Sequence, residues 1–502
     1  MSSIRVQLGG KSFEIETEPG VALLAALRTF GFTLPAACGG RGKCGKCRVS
    51  VNGISRLACR VIPNDGDIVV LPESGGGRIL TETPKIMFSP AEATGLAAAV
   101  DLGTTTIAAR IYDLENAREL KTVTAWNAQA AYGADVISRI QYTTDNPKGL
   151  EELSHITRTQ VCNMISDALG RHGKSISELR RIVLAGNTVM QHIFACLPVK
   201  GIAVAPFTPE TLFSSDFEDK LLSAPLYYAP CVAGYVGGDI TAGIMSTGLH
   251  QKSGQNLLLD VGTNGEIVLG GKNGFHCCAV ASGPAFEGAG ISCGMAAVDG
   301  AVSHVRYNGG FLFDTIGGQT AKGLCGSGLI DLIAVLTEQG CVDEGGRLLP
   351  PEDAPEKMQR YLSRDENGNG IFRLTGDICL TAQDVRNLQL AKAAVAAGIK
   401  VLLDNACIDE TDLDAVYLAG GFGSYADTEN AMKIGMLPRI SPEKLHNIGN
   451  TALAGASMAA VDPKMIERMR NIARNCDYTE LSGRSDFAEA FMKNMSFENL
   501  QR

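Results

Sequence analysis

The stretch Ala36 to Arg60, AACGGRGKCGKCRVSVNGISRLACR, confines the start of this chain more tightly than any other feature. It holds Cys38, Cys44, Cys47 and Cys59 in a C-x5-C-x2-C-x11-C spacing, and three of the four lie in a run dense in glycine. Small residues let the backbone wrap an inorganic core and point N–H groups at sulfur, which is what an iron–sulfur cluster needs. The window has no acidic residue but contains Arg41, Lys43, Lys46, Arg48, Arg56 and Arg60. Such a collar offsets the negative charge of thiolates and sulfides, and it equally suits an acidic partner. Structural zinc is the alternative, since zinc also takes four cysteines. Zinc ribbons usually carry two C-x2-C pairs, whereas this window has one.

The flanking residues set the cysteines in a fold. Ile4 to Leu8 alternates as a strand should, Gly9-Gly10 turns, and Ser12 to Glu16 returns. Val21 to Phe30 reads as a short apolar helix, Cys47 to Val51 as a strand ended by Asn52-Gly53, and Ile68 to Leu71 as a closing strand. Hairpin, helix, cysteine loop and further strands, over residues 1–75, resemble a β-grasp 2Fe–2S ferredoxin. Plant-type ferredoxins space their cysteines C-x4-C-x2-C…C, one residue shorter in the first gap. The resemblance implies a 2Fe–2S cluster that shuttles one electron. Residues 76–95, rich in Gly, Pro, Ser and Thr, read as a flexible linker.

Beyond the linker a motif occurs twice. AAAVDLGTTTIAARIYD ends at Asp113, and LLLDVGTNGEIVLG ends at Gly270. Each is a strand, a polar glycine turn and a second strand. Asp101 and Asp260 end the first strands, and Gly103 and Gly262 follow two residues later. Backbone N–H groups and hydroxyls in such turns wrap phosphate oxygens, and an aspartate at the strand end positions a metal-bound water. The pair resembles the superfamily of actin-like ATPases, sugar and acetate kinases and heat-shock chaperone ATPases, whose five motifs are found here in order. Asp101 to Thr106, with Gly103, Thr104, Thr105 and Thr106, matches the first phosphate loop. Gly234 to Gly243 matches the first connecting helix, with Asp239 in the place of the acid that assists hydrolysis. Asp260 to Gly265, with Gly262, Thr263 and Asn264, matches the second phosphate loop. Leu418 to Ser424, with Gly420, Gly421 and Gly423, matches the adenosine motif, and Thr451 to Ser457 the second connecting helix. The resemblance implies ATP and Mg2+, with Asp101, Asp239 and Asp260 catalytic. The fold expected is α/β: the ferredoxin domain, then a two-lobed actin-like ATPase of duplicated ribonuclease-H-like lobes at 96–250 and 251–480, then a polar tail at 481–502.

Other clusters are less specific. Gly326 and Ser327, in KGLCGSG, open an apolar helix whose N–H groups suit the nucleotide or another anion, or merely cap the helix. Glu287, in ASGPAFEGAG, reads as a contact to substrate or partner, or as part of a turn. His192 reads chiefly as a structural histidine, with a metal or corrinoid contact the weaker alternative, and Trp126 as part of a loop leading to a helix. Cysteines outside the cluster stretch, such as Cys162, Cys196 and Cys407, read as small core residues in a reducing cytoplasm.

Composition narrows the function classes. A formal net charge of −9 argues against general nucleic-acid binding. No apolar run reaches the length of a membrane span, and the opening residues read as a strand rather than a leader.

A ferredoxin joined to an ATPase couples ATP to electron transfer. The whole architecture resembles the reductive activators of corrinoid-dependent methyltransferases. That implies one-electron reduction of a Co(II) corrinoid protein to Co(I), fed by a low-potential electron donor, in a cytoplasmic protein that is a monomer or a homodimer. Longer members of that group hold a further domain between ferredoxin and ATPase, and here only the linker stands there. The alternatives are an activator of another low-potential metalloenzyme such as a 2-hydroxyacyl-CoA dehydratase, a small-molecule kinase with a fused redox sensor, and a redox-sensing ATP-binding protein without catalysis.

Overall fold

The computed structural model describes residues 2–8, 11–30, 32, 34, 40, 42, 47–71, 94–262, 264–420 and 427–497. Residues 76–93 of the expected linker, with Cys38, Cys44, Thr263, Gly421 and Gly423, lie outside the described residues.

The first 71 residues build a five-stranded sheet in the order Lys11–Thr17, Ser2–Leu8, Ile68–Val70, Arg48–Val51, Ile54–Leu57. Ser2–Leu8 and Ile68–Val70 run parallel at its centre. The helix Leu23–Thr29 covers one face and buries Leu23, Leu24 and Leu27 against Ile4, Val6, Ile15 and Val69. This is the expected ferredoxin arrangement, with Ile54–Leu57 added as an edge strand.

The remaining chain repeats one sheet plan. In the first sheet, Leu96–Leu102 pairs antiparallel with Thr106–Asp113 and parallel with Leu179–Ala185. In the second, Gln255–Val261 pairs antiparallel with Gly265–Gly271 and parallel with Leu413–Ala419. Each sheet has six strands. The run Leu96 to Val100 is buried throughout, as befits a central strand covered on both faces. Between Val280 and the helix Ala382–Asn405 the second half carries two small three-stranded sheets and the buried helix Gly326–Glu338.

The halves meet where the helices Gly238–Ser246 and Thr451–Val461 cross. A Cβ on Gly455 would lie 2.3 Å from the Ala242 carbonyl oxygen, so glycine lets the two backbones touch. The later helix does not stay with the second sheet. Ala452, Leu453 and Ala456 pack in one core with Ala97 and Ala99, and Arg181 donates to Ala460 O at 2.6 Å and to Val461 O at 2.9 Å. The boundary drawn near residue 250 is therefore crossed by a helix contributed from residues 451–461.

Three local readings change. Cys196 and Cys407 are exposed, not core residues. Each stands just beyond a helix C-terminus with φ of 56° and 55°, the left-handed position that ends a helix. Trp126 closes the strand Arg118–Trp126 rather than lying in a loop. The expected polar tail docks: Lys392, buried in the long helix, donates to Asn494 O at 2.7 Å and Ser496 O at 2.6 Å, and Phe497 is buried beside it.

Replacing Gly455 with valine is expected to force the crossing helices apart and to cost about 1–3 kcal/mol. The measurement is urea unfolding followed through the fluorescence of Trp126, the single tryptophan. An unchanged midpoint would show that the contact is dispensable.

Candidate functional site

The expected first phosphate loop is the turn between Leu96–Leu102 and Thr106–Asp113. Asp101 is the penultimate residue of the first strand, and Gly103, Thr104 and Thr105 form the turn. A side chain at Gly103 would meet Thr106 O at 2.5 Å. Three side chains hold the loop from outside. Asn127 donates to Gly103 O at 2.9 Å, Asn187 donates to Thr104 Oγ1 at 3.0 Å, and Arg139 Nη2 donates to Thr104 O at 2.6 Å. Asn187 also caps the helix Thr188–Phe194, accepting from Met190 N at 2.9 Å.

The second loop repeats the plan. Asp260 is penultimate in Gln255–Val261, and Gly262 N bonds Asn264 O at 2.9 Å across the turn. Gly420, immediately after Leu413–Ala419, has φ +76°, and a Cβ there would lie 2.6 Å from Asp260 Oδ1. The strand-to-glycine turn expected at 418–424 thus begins against Asp260. Asp239 sits in the first turn of Gly238–Ser246, where its N–H reaches Gly186 O at 3.3 Å.

These elements gather carboxylates. Burial pushes Asp101 up to about 7, opposed by the hydrogen bond from Asn450 and reinforced by Asp260. Asp239 rises to about 8, from burial and from the charges of Asp260 and Asp101. Asp260 rises to about 6 through burial. The three aspartates expected from the sequence are therefore brought together. A fourth acid joins them. Glu266 is 8 % exposed, stands directly opposite Asp260 in the strand register, and is raised well above the usual carboxylate range by burial, Asp239 and Asp260. The matching position in the first hairpin, opposite Asp101, is Ala108. Aligning the two hairpins by strand register would have exposed this difference, Gly265-Glu266 in one copy against Ile107-Ala108 in the other.

Asn450 links this cluster to the crossing helices. Its Nδ2 donates to Asp101 Oδ2 at 2.7 Å, while its Oδ1 accepts from Leu453 N at 2.7 Å and caps Thr451–Val461. The donor set suits Mg2+, which is held through one or two carboxylates, waters and substrate phosphates rather than by an all-protein cage. Among the described residues, no three His, Cys, Asp or Glu are arranged to hold an ion alone.

Gly326 and Ser327 are buried one layer away. A Cβ on Gly326 would approach Phe286 O to 2.0 Å, which packs this helix start against the turn that ends at Glu287. His192 is fully buried, bonds Thr188 O at 2.7 Å and accepts from Thr211 N at 3.3 Å, so it is structural.

In the ferredoxin sheet, Cys47 is buried and its sulfur lies 3.3 Å from that of Cys59. That is well beyond a disulfide bond of about 2.05 Å. The two thiols converge from either side of the hairpin Arg48–Leu57, as ligands of one cluster would.

Three family models match the chain in order. They are the 2Fe-2S iron-sulfur cluster binding domain over residues 6–64, the RACo middle region over 96–252, and the C-terminal domain of RACo, the ASKHA domain, over 255–502. Corrinoid activation enzyme RamQ of Eubacterium limosum is 32 % identical over 416 residues, spanning 80 % of this chain and 70 % of its own. The chain belongs to the RACo family of reductive activators. The [Co(II) methylated amine-specific corrinoid protein] reductase of Methanosarcina barkeri is 24 % identical over 441 residues, 80 % of this chain and 76 % of its own. The solved structure of a reductive activator for corrinoid,iron-sulfur protein superposes with a TM-score of 0.72 at 29 % identity, covering 98 % of both chains. Against that structure the expected shortfall of a domain is not found. The RACo middle region falls on residues 96–252, which fold as the first phosphate-loop sheet and the first crossing helix. Among the described residues no helix is long and apolar enough to cross a membrane.

The carboxylates make stability depend on pH. A carboxyl raised in the fold keeps a proton that the unfolded chain releases near pH 4, so the stability it contributes is present below pH 4 and lost as pH rises through 6 to 8. Asp239→Asn is expected to raise the melting temperature at pH 8 by at least about 2–4 °C, the shift for 1 kcal/mol in a lobe of this size. At pH 4, where the unfolded chain also keeps much of this proton, the variant gains little. Equal shifts at both pH values, read by calorimetry, would contradict the electrostatic account.

Proposed function

We propose that this chain is an ATP-dependent reductive activator that passes one electron from its ferredoxin module to a Co(II) corrinoid protein, returning the cobalt to Co(I) for methyl transfer. The observation that carries the reading is the union, in one chain, of converging ferredoxin thiols and a duplicated cleft lined by paired acids. The named relatives act as corrinoid activators or reductases.

Cys38, Cys44, Cys47 and Cys59 would hold the 2Fe–2S cluster, which supplies one-electron transfer when bound. Burial of Cys47 keeps that part of the site dry, while Cys59 keeps partial exposure. Residues 19–64 hold seven Arg or Lys and no acid, and Arg48, Arg56 and Arg60 are exposed, which favours an acidic partner surface. In the cleft, Gly103 to Thr106 and Gly262 to Asn264 would cradle phosphates, and Gly420, Gly421 and Gly423 the adenosine. Gly326 and Ser327 would support the cleft from beneath. Asp101 and Asp260 would orient Mg2+ and its waters, and Asp239, in its ionised form, would accept a proton from the attacking water.

ATP is needed because reducing a low-potential cobalt is uphill: about 59 mV is a factor of ten for one electron. Nucleotide binding changes that balance only if it favours one state of the activator–acceptor complex over the other.

The test reduces the protein anaerobically, adds a Co(II) corrinoid protein and follows Co(I) absorption with and without ATP. ATP-dependent Co(I) formation is expected, and Cys47→Ser should abolish both it and the cluster spectrum while nucleotide still binds. Asp260→Asn should lower ATP turnover by about 10²–10³-fold with an unchanged cluster spectrum. Co(I) formation indifferent to ATP with every corrinoid partner tried would sink the proposal.

A further inference from the structure

One carboxylate reaches across the cleft. Thr105 of the first phosphate loop donates its hydroxyl proton to Glu287 Oε2 at 2.9 Å, joining residues 182 positions apart. The same carboxylate lies beside the second loop, since a Cβ on Gly262 would stand 3.4 Å from Glu287 Oε1. Its position is fixed by the backbone. The turn Pro284–Glu287 is bounded by Gly283 at φ 73°, ψ 175° and Gly288 at φ 74°, ψ 5°. The first of these conformations is essentially confined to glycine. Beneath the turn, Phe286 O presses on Gly326, the first residue of the helix Gly326–Glu338.

Behind the first loop stands a cation. Arg139 is fully buried and donates to Thr104 O at 2.6 Å, Gly133 O at 3.0 Å, Gln129 Oε1 at 3.1 Å and Met190 Sδ at 2.9 Å. These bonded partners are all neutral. Asp135 and Glu287 answer its charge only through space. The first loop is thus held between a buried guanidinium behind it and a carboxylate in front.

We propose that Glu287 is a specificity-determining residue that occupies, on Thr105, the place the terminal phosphate of ATP must take. This rests on the reading of the cleft as an ATP site. Thr105 has one hydroxyl proton to give, so Glu287 and a phosphate oxygen compete for it. Two anions facing one loop also repel each other. A terminal phosphate therefore displaces Glu287, whereas ADP leaves the Thr105 contact in place. Displacement releases the Pro284–Glu287 turn from the first lobe, and with it the seat of helix Gly326–Glu338. The difference between ATP and ADP becomes a difference in how the second half of the chain is held.

The test uses the full-length protein with Mg2+ and either a non-hydrolysable ATP analogue or ADP, measured by calorimetry. Glu287→Gln keeps the shape and still accepts from Thr105, but it carries no charge. It should tighten the analogue by about tenfold, a change of 1.4 kcal/mol, and alter ADP affinity by less than about twofold. Hydrogen exchange in the unaltered protein should rise over residues 284–290 and 326–330 with the analogue but not with ADP. In Glu287→Gln, which still accepts from Thr105, ADP should again leave the exchange of these segments unchanged. Equal shifts for both nucleotides, no shift for either, or lost turnover with unchanged affinities would overturn the proposal. The last result would make Glu287 an acid or base of the chemistry instead. Failure of the unaltered protein to bind either nucleotide would overturn the ATP reading itself, and is thereby told apart from failure of the Glu287 proposal alone.

Discussion

The structure depends on a repulsion that it holds in check. Asp101, Asp239 and Asp260 arrive from three different elements, Glu266 faces Asp260 across a hairpin, and burial raises all four. Removing charged groups from water is costly unless they are paired or neutralised. Burial answers this by favouring their neutral, protonated forms, and packed walls hold them in place. Two helices touch backbone to backbone at Gly455 and Ala242, and Asn450 uses one end of its amide to cap the crossing helix and the other to restrain Asp101. A shift of that helix must therefore disturb the bond to Asp101. In the proposed ATP site a divalent cation would relieve the repulsion.

Much of this was legible in the sequence because it is local. A strand ending in Asp-x-Gly followed by hydroxyl residues can be read without its neighbours, and reading it twice gave the duplication and both central hairpins. The small residues at 451–457 gave the crossing helix for the same reason. Partnerships between distant positions were not legible. Asn450 meets Asp101 and Arg181 meets Ala460 only because the last crossing helix returns to the first sheet. Arg139 looks like an ordinary polar position of an amphipathic helix, and only the fold puts it under the first loop. Glu266 lies inside a motif that was read, but its strand position mattered more than its spacing from Asp260. Cys196 and Cys407 misled because apolar neighbours mark a helix end as well as a core, and the left-handed turn there faces solvent.

The two functional parts differ in charge as well as fold. Residues 1–71 carry nine Arg or Lys and five Asp or Glu, leaving 36 basic and 49 acidic residues for the rest of the chain. The five acids of the first part, Glu14, Glu16, Glu18, Asp65 and Asp67, fall outside the stretch 19–64 that carries the cysteines. Positive charge around a cluster stabilises its reduced, more negative form and draws in acidic surfaces, while salt weakens the attraction. The same charge that makes the module a good docking partner makes it a weaker reductant. A module tuned in this way cannot reach a lower-potential acceptor by its own potential. In the proposed function the missing driving force would come from the other part of the chain, where binding to the acids of the cleft could favour one state of the complex over another. Opposite charge on the two parts fits the proposed division of labour: the basic part would recruit partners and hold the electron, and the acidic part would bind the nucleotide that sets when the electron can leave.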